Sequence, residues 1–105
     1  MLVRAVSPVD GLELMRRRRP KVKRDRDLTN GPGKLTQALG ITKEHNGADL
    51  VTGAAGVHIA DDGTPPPTDP VVTWRIGFGQ NPARDYPWRW FVPGNRFVSR
   101  PAGAR

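Results

Sequence analysis

The 105-residue sequence predicts a small α+β fold, a mostly antiparallel sheet or partial barrel carrying short helices. Three observations predict it. Apolar residues alternate through Val71–Gly79 (VVTWRIGFG). Two more short apolar runs, Trp88–Val92 and Arg96–Ser99, follow around a turn. Earlier in the chain, two stretches combine helical spacing with start and stop signals. At about 100–150 residues per domain, residues 1–105 amount to one small domain at most.

Taken in order, LVRAV (Leu2–Val6) predicts a short strand, and SPVDG a turn. Asp10 predicts an N-cap, with Glu13 as its capping-box partner. Leu12, Met15 and the arginines that follow predict a short helix ending before Pro20, with its cationic end at the negative pole of the dipole. Asn30-Gly31-Pro32 then opens KLTQALG. Thr29 or Asn30 can cap, Pro32 suits the first turn, and Gly40 suits a left-handed exit. Leu35, Ala38 and Leu39 share one face of that helix. Thr42 restarts a helical pattern leading to Leu50. VHIA (Val57–Ala60) predicts a strand before a proline-rich surface loop. In Val71–Gly79, the side bearing Val72, Trp74 and Ile76 is expected to pack on Leu35 and Leu39. PGN predicts a hairpin turn between the last two strands.

Net charge is +7, from 17 Lys+Arg against 10 Asp+Glu. Residues 1–34 hold ten of the cations and four of the acids, a net +6. The densest run is RRRRPKVKRDR, Arg16 to Arg26. Such a run repels itself unless an anion lies beside it, and phosphate is the usual one. A solvated basic surface explains the charge equally well, and a nuclear localisation signal has the same composition. Lys34 falls in the first turn of its helix, where a cation opposes the dipole. A helix N-terminus beside a lysine is an anion site, though an ordinary amphipathic helix can carry one too.

Much chemistry is excluded. Zero Cys removes disulfides and thiolate metal sites. His45 and His58 have no zinc spacing, so no metal or other cofactor is expected. Asp61 and Asp62 are adjacent in a loop and read as solvated turn residues. GPGK is not a phosphate-binding loop, because the spacing fails and Leu35 takes the hydroxyl position. Gly77 and Gly79 give only a GxG. The three tryptophans read as core or interface before base-stacking platforms. No apolar run approaches the roughly 20 residues of a membrane span, and there is no signal-peptide pattern, so a cytoplasmic protein is expected.

Three blocks, VRAVSPVDGLELMRRRRP, KRDRDLTNGPGKLTQALGI and TWRIGFG…WRWFVPGNRFVSR, closely resemble the C-terminal half of the alkyladenine-type 3-methyladenine DNA glycosylases. The resemblance covers nearly all of residues 2–101, and DLTNGPGKLTQALGI is its most specific segment. It implies the C-terminal portion of a single-domain glycosylase fold. It implies base-excision repair of double-stranded DNA containing damaged purines, by a protein monomeric when complete and nucleoid-associated if bacterial. The damaged base is flipped out, and water cleaves its N-glycosidic bond.

By motif match, Arg4 corresponds to the arginine that holds the family's water, and Ile76 to the backbone carbonyl that also holds it. Arg19, Lys34 and Lys43 correspond to positions contacting the DNA backbone, and Leu2 falls beside the base pocket. The family's catalytic glutamate, pocket aromatics and intercalating tyrosine precede the RAxxP block, which here begins at Val3. Glu13 and Glu44 match other segments. Met1 stands where a full-length member is internal, so a half produced by truncation, frameshift or a late start is expected. Such a half is expected to be inactive alone and to expose an apolar face. Two other readings are a non-catalytic basic nucleic-acid-binding module and, on charge alone, an unrelated RNA-associated protein.

Overall fold

A computed structural model describes residues 1–76 and 86–99. Its elements are α1 (Leu12–Arg18), α2 (Pro32–Leu39), β1 (Val71–Thr73) and β2 (Arg89–Phe91), with single 3-10 turns at Asp25–Asp27 and Lys43–His45.

Helix α1 starts without a side-chain cap. The N-cap is Gly11 rather than Asp10, at φ 77°, a left-handed conformation that glycine adopts without strain. Glu13 in the first turn and Arg16, Arg17 and Arg18 in the last turn suit the dipole. The helix stops at Arg19, whose N–H reaches the Met15 carbonyl at 2.9 Å. Helix α2 has Pro32 in its first turn and Gly40 at φ 70° beyond its end. The Ile41 N–H closes on the Thr36 carbonyl at 2.8 Å, so the helix ends on a Schellman motif. Neither Thr29 nor Asn30 caps it through a side chain.

The two helices pack on each other. Met15, Leu28 and Ala38 make the buried cluster, with Leu12 and Val22 packed against it. Leu35 and Phe97 are buried apart from that cluster, whereas Leu39 is exposed. Leu28 is fully buried, a contribution of roughly 2–3 kcal/mol.

The sheet is antiparallel and two-stranded among the described residues, in the register Val71↔Phe91, Val72↔Trp90 and Thr73↔Arg89. The fold is thus a small mixed one, with less sheet among the described residues than the sequence predicted. Leu2–Val6 is irregular and ties to the body through Val6 N–H to the Thr29 carbonyl at 3.4 Å. Val57–Ala60 is also irregular. The pattern from Thr42 makes one turn, not a helix to Leu50. Arg96–Ser99 is no strand, and β2 pairs with β1 instead. The Asn95 side chain accepts from the Phe97 N–H at 2.8 Å, taking a donor that a ladder would need. The face of β1 is the reverse of the expected one. Val72 and Trp74 are exposed, while the alternate side brings Thr73 opposite the buried Arg89. The predicted strand beyond Ile76, with Gly77 and Gly79, lies outside the described residues.

Candidate functional site

One cavity of about 1010 Å³ lies between the N-terminal arm and the sheet. Leu2 and Arg4 line it from the arm, Ile76 from the residues after β1, and Trp88, Trp90 and Phe91 from β2 and its approach. Asn30 reaches it from the loop before α2. Arg4 and Ile76, 72 positions apart, thus share one wall system.

Side-chain hydrogen bonds to an irregular chain hold the arm in place. Thr29 is fully buried, and its hydroxyl donates to the Val6 carbonyl at 2.8 Å. Asn95 Nδ2 donates to Ser7 Oγ at 3.0 Å, joining the arm to the segment after β2. Arg89 of β2 also lines the cavity, is buried, and donates to the Ser99 carbonyl at 2.6 Å. Its guanidinium also lies 4.5 Å over the Phe91 ring.

The basic stretch is less free than its sequence suggests. Arg16 pairs with Asp25, and Arg17 pairs with Glu13 at 3.0 Å. Arg18 donates to the Ala38 carbonyl at 3.1 Å. Half-buried Arg19 turns inward, donating to the Asp27 and Leu28 carbonyls and, through Nε at 3.2 Å, to Gln37 Oε1.

Lys34 is exposed in the first turn of α2, and its Nζ donates to Asn30 Oδ1 at 3.0 Å. Asn30 Nδ2 donates to Asp27 Oδ1, and Arg24 Nε to Asp27 Oδ2, both at 3.0 Å. A polar relay therefore runs from Arg24 to Lys34 and meets the cavity at Asn30. Partial burial pushes the Asp27 carboxyl up, but bonds from Arg24 and Asn30 and the charges of Arg24 and Arg26 outweigh it. Its pKa lies below the ordinary value. Lys43 is exposed at the start of its turn, which is closed by Thr42 N–H to His45 Nδ1 (3.1 Å) and Glu44 N–H to Thr42 Oγ1 (3.3 Å).

The structure thus brings Leu2, Arg4 and Ile76 to one cavity and connects Lys34 to its edge through Asn30. Arg19 and Lys43 lie away from it. Thr29, Asn30 and Asn95 escaped the sequence reading, which treated the first two as caps. A buried threonine bonded to a distant carbonyl leaves no periodic trace. Among the described residues, no group of three or more His, Asp or Glu is placed to hold a metal ion. Among them, no helix is long and apolar enough to cross a membrane.

Known proteins resemble this chain throughout. A 3-methyladenine DNA glycosylase, by name, from Burkholderia lata is 50% identical over 105 residues, covering 100% of this chain and 50% of the relative. One from Bacillus subtilis is 45% identical over 103 residues, covering 95% and 49%. One from Rhodopseudomonas palustris is 45% identical over 101 residues, covering 96% and 47%. The chain therefore spans about half the length of the curated relatives it matches. The model of the methylpurine-DNA glycosylase family matches residues 1–96, and the chain belongs to that family of base-excision DNA glycosylases.

Proposed function

We propose that the chain supplies the DNA-gripping and water-holding half of a monofunctional glycosylase that excises damaged purines from duplex DNA. One observation carries this reading: Leu2, Arg4 and Ile76, matched separately to base-pocket and water-holding positions, line the same cavity. In the proposed reaction a water attacks C1′ of a flipped-out nucleotide, and the N-glycosidic bond breaks toward the departing base. The Arg4 guanidinium donates to the water oxygen, and the Ile76 carbonyl accepts one of its hydrogens. These two groups hold the water but cannot take its proton at neutral pH. That step needs a carboxylate, which the family places in the segment before RAxxP.

The polar relay gives the DNA contacts a mechanical link to the site. An ammonium carries three donors, so Lys34 can hold Asn30 and a phosphate oxygen together. Lys43 is a second, exposed phosphate contact. Arg19 supports the loop between the helices and lends its charge to the same surface. The +6 of residues 1–34 supplies a salt-dependent, sequence-independent affinity.

The test compares two proteins on duplex DNA containing hypoxanthine or 3-methyladenine. One is the 105-residue chain. The other, the joined chain, has these residues in place of the matching half of the Burkholderia lata relative. The joined chain should release the base and leave an abasic site, and the 105-residue chain should bind DNA without releasing it. DNA binding without excision by either protein would instead support a non-catalytic binding module. Excision by the 105-residue chain alone would show that its general base has been overlooked.

A further inference from the structure

A second cleft, of about 580 Å³, opens beside the first cavity. The two share a wall that includes Asn30, Phe91 and Asn95, whereas Arg26, Asp27, Gly94 and Arg96 line the second cleft alone. Arg26 comes from the 3-10 turn between the helices. Arg96 comes from the turn after β2, 70 positions later in the chain.

These two arginines differ from most of the basic stretch. Carboxylates hold Arg16, Arg17 and Arg24, and backbone carbonyls hold Arg18 and Arg19. Arg26 and Arg96 are exposed, and neither guanidinium makes a hydrogen bond or an ion pair among the described residues. The Arg96 guanidinium rests 4.8 Å over the Phe97 ring, a contact that restrains the side chain without using its N–H donors. The cleft's one carboxylate is already occupied. Asp27 accepts from Arg24 Nε and from Asn30 Nδ2, both at 3.0 Å. Arg24, Arg26 and Arg96 face that single carboxylate, so the cleft keeps a net +2.

We infer that Arg26 and Arg96 clamp one backbone phosphate of duplex DNA at this second cleft. The inference rests on the DNA-gripping reading above and adds to it a contact outside the basic run. A guanidinium is a planar fork of N–H donors that matches phosphate oxygens. A phosphodiester offers two unbridged oxygens, one for each guanidinium. The position also favours DNA. A nucleotide held in the first cavity carries a phosphate on either side, and the second cleft begins across the shared wall. Lys34, the phosphate contact proposed above, is bonded to Asn30 on that wall.

The first measurement is fluorescence anisotropy of the 105-residue chain on undamaged duplex DNA at several salt concentrations. Arg26→Gln combined with Arg96→Gln should lower the slope of log K against log salt by about one unit, because one phosphate is lost. A fall of about two units would mark two separate phosphates and refute the clamp. Arg26→Lys with Arg96→Lys keeps both charges and should keep most of the slope. Arg17→Gln removes a cation already paired with Glu13, so its slope should change by less than about half a unit. An unchanged slope in the double Gln variant overturns the inference. An equal fall in Arg17→Gln does so too, by showing diffuse charge, and a double Lys variant that loses the slope does so by showing a structural effect. Lys34→Ala separates the two readings. A slope that falls there but not in the double Gln variant refutes the clamp alone, whereas a parent whose binding ignores salt refutes the DNA-gripping reading with it.

The second measurement places the phosphate. The joined chain is bound to hypoxanthine duplexes in which one linkage at a time beside the lesion is a neutral methylphosphonate. One such linkage should weaken the parent by about tenfold and the double Gln variant by less than about twofold, since that variant has no clamp left to lose. Linkages that all cost the two proteins equally contradict a clamp beside the lesion.

Discussion

Arg19 should be a structural staple before it is a DNA contact. Its guanidinium joins the end of α1 to the Asp27 and Leu28 carbonyls and to Gln37 on α2. Hydrogen bonds from a charged donor contribute about 1.5–3 kcal/mol, toward the lower end where solvent reaches the site. Arg19→Ala should therefore cost about 2 kcal/mol, a large share of a small domain's stability. Arg19→Lys keeps the charge without the fork, so it should recover only part of that loss. Lys34→Ala gives the contrast. It removes one bond from an exposed ammonium, so its stability cost should stay under ~1 kcal/mol. Its effect should appear in DNA binding, where the slope of log K against log salt falls by about one unit. Urea unfolding of the joined chain measures the first quantity, and fluorescence anisotropy on duplex DNA at several salt concentrations measures the second. An Arg19→Ala midpoint equal to the parent's would refute the staple. So would a Lys34→Ala variant that is the less stable of the two.

Three further outcomes follow from the same contacts. Thr29→Val should cost about 1–3 kcal/mol in urea unfolding, because the Val6 carbonyl loses its donor, and Thr29→Ser should cost less by keeping it. Asp27 has a lowered pKa, so its stabilisation is present above the unfolded carboxylate pKa and is lost as pH falls through the folded one. Asp27→Asn should flatten that acid limb of stability against pH and leave the rest of the curve's shape alone. Gly40→Ala should lower the melting temperature, since the residue sits at φ 70° and an added Cβ would stand 3.0 Å from Arg18 Cζ.

Helix α2 was legible almost to the residue because its signals are local. Pro32 presets the first turn, and Gly40 is tolerated where the chain must turn left-handed. Helix α1 was legible in extent but not in its cap, since Gly11 occupies the N-cap position that Asp10 was expected to fill. The alternation of β1 was visible, yet its inward side was misjudged. Periodicity separates two faces but does not say which is covered, and here the tryptophan-bearing face lies open. Arg96–Ser99 looked like a strand because its apolar residues were counted without the Asn95 side chain that bends them. The cavity was legible only through family resemblance. Leu2, Arg4 and Ile76 sit in irregular chain, and long-range bonds from Thr29 and Asn95 hold the arm that carries two of them.

The most direct measurement is single-turnover excision of hypoxanthine by the joined chain, its Arg4→Ala variant and its Ile76→Val variant, with DNA affinity measured in parallel. If Arg4 holds the attacking water, Arg4→Ala should slow excision by about a hundredfold or more, while affinity changes by only a few fold. Ile76→Val should be nearly silent, because only its carbonyl has a role. An Arg4→Ala variant with the parent rate, or one that loses affinity and rate together, would contradict the account.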